Sequence, residues 1–561
     1  MLCQWCHLVA RNTMQRLTLK KLSLQNIHTG ALALQLSTGS RRTLISPHQN
    51  PLQRLAKPRY AGQIAAVTRN FHIPSRPQTA VLWQEGKDVV CRSRWLSSQG
   101  DGGRDGEEGT PAAGEYRSPW TILKEEFKGI SHGQNLESVV PVPRETDVLV
   151  IGGGAVGSSV AFWLKERNPK GMTVTVVERD PCYTQASTML SVGGIRHQFS
   201  VEENVQLSMF TTDFLRNIKE HLSVLDESPP DVQFNHQGYL FLATARSAPL
   251  LEKNVQLQRK VGAKIELLSK EQLAAKFPWL NTTGIEVGSH GCDGEGWFDP
   301  YLLVKALKQK NISLGVKYTE GSLEGFENTT DHNYTKDKPA ETLGTAKIRT
   351  RDHKVHGCKF AMVINCAGPW AGEVARMAGI GAMDTAELAT PLPVEPRKRF
   401  VYVVHCPNGP PIDSPLTVDP TGVYFRREGY GGYYLCGASP DKDKEPSIKD
   451  MDVDYDFFTE RVWPELSKRV PSFECLKLKS AWAGFYDYNY IDQNLVIGNH
   501  PYHRNFFFAN GLSGHGLQHS VAVGRALSEL IIDGKYTTID LSRFEFERLL
   551  TEDFLVEEKI V

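Results

Sequence analysis

Three glycines and one glutamate have the spacing of a dinucleotide-binding site. Gly152, Gly154 and Gly157 follow the pattern G-x-G-x-x-G, and Glu178 lies 21 residues after the last of them. The first glycine permits a tight turn, the second lets a pyrophosphate approach the backbone, and the third lets a helix pack close to a strand. A carboxylate at Glu178 can accept hydrogen bonds from both hydroxyls of an adenosine ribose. This spacing predicts a dinucleotide without a 2′-phosphate.

The elements that must position these residues can be read around them. Residues 148–151 form a short apolar run typical of a buried parallel strand, and a helix is predicted from 155 to about 167. Phosphates would then face the positive N-terminal end of that helix. A second apolar strand, 173–177, ends at Glu178. The order of strand, glycines, helix, strand and acid favours a nucleotide site over a chance glycine-rich turn.

Three further motifs favour FAD over NAD. The small-residue segments 186–188 and 193–194 could line a second phosphate or a flavin ring edge, and an NAD domain needs no such loop. Residues 361–370, AMVINCAGPW, predict a strand followed by a small-residue turn and an aromatic. Residues 506–517, FFFANGLSGHGL, predict a strand, a second glycine turn and a helix to about Ile532. The dipole of that helix could stabilise an anionic reduced flavin.

In this order the motifs resemble those of the D-amino-acid oxidase/sarcosine oxidase-like FAD-dependent oxidoreductase superfamily over roughly residues 145–545. The resemblance implies an α/β fold, in which a Rossmann-like FAD-binding domain of the glutathione reductase type is interrupted by an α+β substrate domain with a mixed or antiparallel sheet. It implies FAD as the cofactor. The residues that stand where the family contacts FAD are Gly152, Gly154, Gly157, Glu178, Arg179, Ser187, Thr188, Ala367, Gly368, Trp370, Gly511, Ser513, Gly514, His515 and Gly516.

The chain departs from the family where relatives attach flavin covalently. Leu190 stands at about the place of a flavin-linked histidine, and Gly484 and Phe485 stand where sarcosine oxidases have a cysteine before a tyrosine. We therefore expect noncovalent FAD. The lysine that promotes reaction with oxygen would fall near Leu435 or Cys436, and neither carries its charge. This favours a dehydrogenase that passes electrons to an acceptor.

The resemblance also names candidate catalytic residues. Arg196 stands where sarcosine oxidases grip the substrate carboxylate, a task that suits a guanidinium fork; a surface ion pair is the alternative. The partner lysine of the family is Gln518 here, so the carboxylate clamp is at best half present. Tyr486 could contact the substrate or only pack within a strand. His515 is expected to contact the flavin rather than to act as a general base.

Composition limits partners and location. The 64 basic and 64 acidic residues balance, so no nucleic-acid partner is expected. Residues 1–84 contain eleven Lys or Arg and no acid, which is typical of a mitochondrial transit peptide; a secretory signal is the alternative, but no continuous apolar segment lies near the start. The sequence has no run of 18 apolar residues, so no membrane span is predicted. Cys3 and Cys6 lack a second pair, so no metal site is predicted.

The predicted organisation is an FAD-binding domain interrupted by a substrate domain. A polar insertion over 327–350 is expected to be a long surface hairpin loop. The basic run 397–399 is expected to be solvated. The segments are a transit peptide and basic region over 1–84, a largely disordered linker over 85–144, FAD-binding segments over 145–230, 361–390 and 481–545, substrate-domain segments over 231–360 and 391–480, and a tail over 546–561.

Two hypotheses about function stay open. The resemblance implies a protein of the mitochondrial matrix, or of the matrix face of the inner membrane, that is required for assembly of respiratory complex I and contacts complex I subunits or assembly intermediates. It would retain FAD and could oxidise an amino acid or N-alkyl amine. The alternative is an active amine or amino-acid dehydrogenase with no assembly role. An NAD dehydrogenase would not explain the motifs at 361–372 and 505–517.

Overall fold

The computed structural model describes residues 140–330, 341–382 and 386–558. The predicted transit peptide and nearly all of the predicted linker lie outside the described residues. The strands in chain order are β1 (Glu145–Ile151), β2 (Val174–Glu178), β3 (Gly194–Ile195), β4 (Tyr239–Ala243), β5 (Ile265–Ser269), β6 (Val287–Gly291), β7 (Gly296–Trp297), β8 (Lys317–Glu320), β9 (Ser322–Thr330), β10 (Glu341–Arg349), β11 (Val355–Asn365), β12 (Val394–His405), β13 (Leu416–Val418), β14 (Tyr424–Glu428), β15 (Tyr433–Gly437), β16 (Lys477–Asn489), β17 (Val496–Asn499) and β18 (Phe506–Asn510).

Helices connect these strands, and none within the described ranges combines the length and apolar character needed to cross a membrane. The α-helices in chain order are α1 (Ala155–Arg167), α2 (Glu202–Arg216), α3 (Ile218–Leu222), α4 (Ala248–Val261), α5 (Lys270–Lys276), α6 (Pro300–Ser313), α7 (Ala371–Met377), α8 (Ala386–Ala389), α9 (Tyr455–Phe457), α10 (Trp463–Arg469), α11 (Gly516–Asp533) and α12 (Glu547–Leu550).

The first sheet has the strand order β17-β18-β11-β1-β2-β8. From β18 to β8 neighbouring strands are parallel, whereas β17 runs antiparallel to β18. The carboxyl ends of β1, β11 and β18 therefore lie at one edge, and each of these three strands runs into one of the small-residue turns of the sequence. This sheet brings together strand ends, at residues 151, 365 and 510, that are 145 to 359 residues apart in the chain.

Strand β1 is buried on both faces of the first sheet over residues 148–151, which are all apolar. Val148 and Val150 pack into one hydrophobic cluster with α1 and α11, and Leu149 packs into another cluster on the opposite face. Helices α1 and α11 approach closely, since a Cβ at Gly524 would lie 2.6 Å from the backbone carbon of Ser159. The fold class predicted from the sequence is confirmed for this parallel sheet.

The second sheet has the order β16-β12-β15-β14-β13-β4-β6-β5 and is antiparallel except between β13 and β4. Its longest pairing joins β12 to β16, from Val394 opposite Asn489 to His405 opposite Lys477, with one register shift between Val403 and Val404. Tyr486 consequently lies in the second sheet.

The first sheet also includes β8, β9 and β10, although the sequence analysis placed 231–360 mainly in the substrate domain. The first half of β11 pairs with β10, and its second half pairs with β18 from Val363 onward. Strand β10 thus pairs with the part of β11 that extends beyond its pairing with β18. The hairpin expected over 327–350 consists largely of strand, and its tip, 331–340, lies outside the described residues.

Candidate functional site

The glycine turn after β1 leaves no room for side chains. Gly152 has φ +101°, and a Cβ there would lie 2.4 Å from the carbonyl oxygen of Cys366. A Cβ at Gly157 would lie 1.9 Å from the carbonyl oxygen of Gly152. Hydrogen bonds from Gly152 N–H to Val177 O (2.8 Å) and from Cys366 N–H to Ile151 O (2.8 Å) tie β1 to its neighbours at this point. The turn therefore has the close backbone packing that the motif requires.

Glu178 lies at the end of β2 with its carboxylate against this turn. Its Oε2 accepts a hydrogen bond from Gly153 N–H (2.8 Å), and its Oε1 accepts one from Asp180 N–H (2.9 Å). Burial raises the pKa of this carboxyl group, and the two backbone N–H groups oppose that rise. The acid predicted to bind ribose thus lies at the glycine turn.

Two helices direct their N-termini toward this edge of the sheet. Helix α1 is preceded by Gly154, and α11 by His515; neither residue caps its helix through a side chain, and neither first turn contains an acid. At α1 the hydroxyl of Thr188 accepts a hydrogen bond from Ala155 N–H (3.2 Å). Helix N-termini without acidic residues attract anions such as phosphates.

The loop after β11 contributes free space at Gly368 and the aromatic side chain of Trp370. Gly368 has φ +55°, and no atom lies within 4 Å of a Cβ built there. The guanidinium carbon of Arg179 lies 3.6 Å from the ring centroid of Trp370, which packs edge-on against Phe485 at 5.9 Å. The hydroxyl of Ser187 donates to the carbonyl of Phe485. The open space at Gly368 and the two helix N-termini fit a bound dinucleotide.

The second glycine turn is held by Asp487, which sequence reasoning missed. Its Oδ2 accepts a hydrogen bond from Leu512 N–H (2.9 Å), and its carbonyl accepts one from Ser513 N–H (3.2 Å). Ser513 has φ +49°, and its hydroxyl accepts a hydrogen bond from Asn489 N–H (3.0 Å). Burial raises the pKa of Asp487 to about 6. An acid within a strand of alternating aromatics was the available signal.

Arg196 lies half-buried beside the second glycine turn. Its guanidinium carbon is 4.1 Å from the ring centroid of Phe199 and 5.0 Å from that of Phe241, and its Nη2 is 3.3 Å from His515 Nε2. Gln518 accepts a hydrogen bond from Arg196 N–H at 2.8 Å. No carboxylate of the described residues pairs with Arg196 within 4 Å, which argues against a surface ion pair. Burial lowers the pKa of Arg196.

A second buried acid supports the segment after β3 that carries Arg196. Glu295 accepts hydrogen bonds from His197 N–H (2.8 Å) and from the Gln198 side-chain amide (2.9 Å). Burial raises the pKa of Glu295 to about 7. Sequence reasoning missed Glu295, although an acid between two glycines in the segment DGEGWFDP was a visible signal.

Tyr486 packs on the second glycine turn from the second sheet. A Cβ at Gly514 would lie 3.0 Å from Tyr486 Cε2, and the guanidinium carbon of Arg399 is 5.3 Å from the tyrosine ring centroid. Burial raises the pKa of the Tyr486 hydroxyl. The candidate catalytic residues Tyr486 and His515 thus both adjoin the turn at 511–516, and Arg196 reaches it through His515.

The two positions of covalent flavin attachment in relatives lie against each other. A Cβ at Gly484 would lie 3.0 Å from Leu190 Cβ. Leu190 therefore occupies the space that a side chain at 484 would need. Neither residue offers a nucleophile to a flavin.

The expectation that the basic run 397–399 is solvated is wrong. Lys398 is buried and donates to Asp450 Oδ1 at 2.8 Å. Arg399 forms two hydrogen bonds with the carboxylate of Glu445, at 2.7 and 3.0 Å. The segment 440–454 lies against β12 and supplies these acids, which the local pattern of the strand could not indicate.

Comparison with known proteins agrees with this geometry. Residues 147–530 match the family model described as FAD dependent oxidoreductase, DAO. FAD-dependent oxidoreductase domain-containing protein 1 of Xenopus laevis is 50% identical over 426 residues, covering 75% of this chain and 85% of that protein. Mitochondrial sarcosine dehydrogenase of Mus musculus is 25% identical over 428 residues, covering 74% of this chain and 42% of that protein.

Solved structures share the fold. L-proline dehydrogenase from P. horikoshii superposes with a TM-score of 0.61 at 25% identity, covering 74% of this chain and 100% of that chain. Glycine oxidase from Geobacillus kaustophilus superposes with a TM-score of 0.58 at 21% identity, covering 72% and 98%. The cofactor of this family is FAD, which the glycine turns, Glu178 and the two helix N-termini fit. The chain belongs to the DAO family of FAD-dependent oxidoreductases.

Proposed function

We propose that this protein is a mitochondrial flavoprotein that oxidises a C–N bond of a small amino acid or N-alkyl amino acid. The observation that carries the proposal is Arg196, a half-buried guanidinium beside the second glycine turn with no carboxylate of the described residues paired to it. A substrate carboxylate would supply that partner through charge-assisted hydrogen bonds. The basic, acid-free composition of residues 1–84 supports the mitochondrial location.

The residues around Arg196 would orient the substrate. Phe199 and Phe241 pack on its guanidinium and exclude water, which strengthens its attraction for a carboxylate. Gln518 fixes its backbone. The chemistry that FAD supplies when bound is acceptance of a hydride from the carbon next to nitrogen, so the protein itself must supply only orientation and electrostatics. Leu190 and Gly484 favour noncovalent FAD.

A second proposed function is support of complex I assembly, with the FAD-binding fold serving to bind complex I subunits or assembly intermediates. Gln518 favours it, because the residue in place of the family's lysine accepts from the Arg196 backbone and carries no charge toward a substrate. Leu435 and Cys436 are buried and equally uncharged, so fast reaction with oxygen is not expected.

The cofactor and the activity can be tested in sequence. Acid precipitation of the purified protein should release yellow flavin into the supernatant; a colourless protein would refute the cofactor assignment. Anaerobic mixing with N-methyl and D-amino acids should then bleach the flavin, and Arg196→Ala should abolish bleaching at low substrate concentration. If no compound bleaches the flavin, the proposed oxidation of a C–N bond is wrong. If deletion lowers mature complex I and Arg196→Ala restores it, the assembly role is independent of the substrate site.

A further inference from the structure

Helix α2 begins without a capping side chain of its own. Its N-cap residue is Val201, whose aliphatic side chain cannot accept a hydrogen bond, and its first turn contains Glu202 and Glu203. Residues at helix N-termini leave backbone N–H groups without partners unless a side chain or solvent satisfies them. Something outside the helix must therefore supply the acceptors.

Glu557, more than 350 residues away in sequence, binds the residues at the start of α2. Its Oε2 accepts hydrogen bonds from Ser200 N–H (2.7 Å) and from the Ser200 hydroxyl. Its Oε1 accepts from the side-chain amide of Asn204 (2.6 Å) and, at 3.4 Å, from Val201 N–H. Glu557 is buried although it lies near the end of the chain. The carboxylate thus holds the two residues that precede α2 and the Asn204 side chain in its first turn.

The segment that carries Glu557 is itself fixed. Leu555 N–H donates to Asp492 Oδ2 (3.2 Å), and the side-chain amide of Asn494 donates to Leu555 O (2.7 Å). Glu558 N–H donates to the Ser200 hydroxyl (2.7 Å). The alternation of buried Leu555 and Glu557 with exposed Val556 is typical of an extended strap with one face against the protein.

Helix α2 in turn holds the residue that we assign to substrate binding. The hydroxyl of Ser208 donates to the carbonyl of Arg196 (2.5 Å). The hydroxyl of Thr212 lies 2.9 Å from His197 Nε2. Hydrogen bonds therefore run from the C-terminal strap through α2 to the backbone of Arg196.

We propose that Glu557 is a positioning residue for Arg196: by holding the start of α2, it fixes the backbone from which the guanidinium reaches a carboxylate substrate. This inference rests on the proposed function, because it requires that Arg196 bind a carboxylate. Glu557 does not ion-pair with Arg196, and it acts through the helix.

The direction in which anion affinity changes when Glu557 is neutralised distinguishes positioning of Arg196 from a direct effect of the Glu557 charge. Glu557 is one of the negative charges near Arg196. Removing that charge without displacing the arginine would strengthen the binding of an anion. Weaker anion binding after neutralisation of Glu557 can therefore come only from displacement of Arg196.

The test uses the FAD-loaded protein with acetate as the probe and acetamide as its uncharged counterpart. Dissociation constants are measured by titration calorimetry and by the change in flavin absorbance, for the wild type, Glu557→Gln and Glu558→Gln. Glu558→Gln is the matched control because it removes the same charge one residue away, from an exposed side chain that pairs with Lys253. We expect Glu557→Gln to weaken acetate binding roughly five- to tenfold, as weakening of the hydrogen bonds that hold the start of α2 would, with FAD content unchanged. Glu558→Gln should match the wild type.

Acetate binding by Glu557→Gln that equals or exceeds that of the wild type would overturn the inference. If Glu557→Gln fails to retain FAD, Ser208→Ala breaks the same path at its other end and should weaken acetate binding in the same direction; an unchanged dissociation constant there would also overturn it. If Arg196→Ala binds acetate as the wild type does, or the wild type does not prefer acetate to acetamide, the proposed function fails and the inference fails with it.

Discussion

Glu295 makes the stability of the protein depend on pH in a direction opposite to that of an ordinary salt-bridged acid. The side chain is fully buried, and burial raises its pKa from 4.5 to about 7. Between these two values the folded protein holds the proton more tightly than the unfolded chain does. Stability is therefore greatest below pH 4.5, falls as the pH rises through this window, and changes no further above pH 7.

The size of the effect follows from the two pKa values. Linkage gives a loss of about 2–3 kcal/mol in the free energy of unfolding between pH 5 and pH 8 from this group. Because other groups titrate as well, the quantity to measure is the difference in unfolding free energy between the wild type and Glu295→Gln, whose amide does not titrate. Urea denaturation at pH 5, 6, 7 and 8 gives this difference, provided that the m-value stays constant.

Glu286→Gln is the matched control, since it changes the same chemical group at an exposed position nearby. Its difference from the wild type should not vary across this pH range. The unfolding free energy of the wild type minus that of Glu295→Gln should fall as the pH rises. If this difference is constant with pH, or grows as the pH rises, the folded protein does not raise the pKa of Glu295.

Three further outcomes are expected. Gly157→Ala should abolish FAD retention, because its Cβ would lie 1.9 Å from Gly152 O; a variant that still releases flavin on acid precipitation would contradict this. Arg548→Leu should lower the free energy of unfolding by about 3–5 kcal/mol in urea denaturation, because it leaves the fully buried carboxylate of Asp492 unpaired. Glu178→Gln should raise the dissociation constant for FAD by roughly ten- to a hundredfold in equilibrium titration, as loss of charge-assisted hydrogen bonds to ribose would; an unchanged constant would remove the ribose role.

The parts of the site that local sequence could indicate were predicted well. The strand over 148–151, the glycine turn and the helix after it are contiguous, so their geometry depends on residues within one motif. The strand predicted over 173–177 is observed as Val174–Glu178, and the helix predicted to about 532 ends at Asp533. Short-range sterics and apolar runs determine such elements, which is why one sequence reveals them.

The parts that depend on distant partners were missed. Asp487 and Glu557 act on segments far from them in sequence, and nothing beside either residue indicates which backbone it will hold. Lys398 was expected to be solvated for the same reason, since the segment that covers it lies about 50 residues further on. The extent of the first sheet was underestimated because only the register of β11 shows that its first half pairs with β10.

The contact between Leu190 and Gly484 has a consequence for how FAD loading depends on riboflavin supply. With the noncovalent FAD proposed above, the loaded fraction would follow the concentration of free FAD in the compartment. A ligand that binds only the folded state adds RT ln(1 + [L]/Kd) to stability, so the unloaded protein is also the less stable one. Riboflavin supply would then set the amount of this protein as well as its loading, whereas a covalently flavinylated relative keeps its cofactor for the life of the chain.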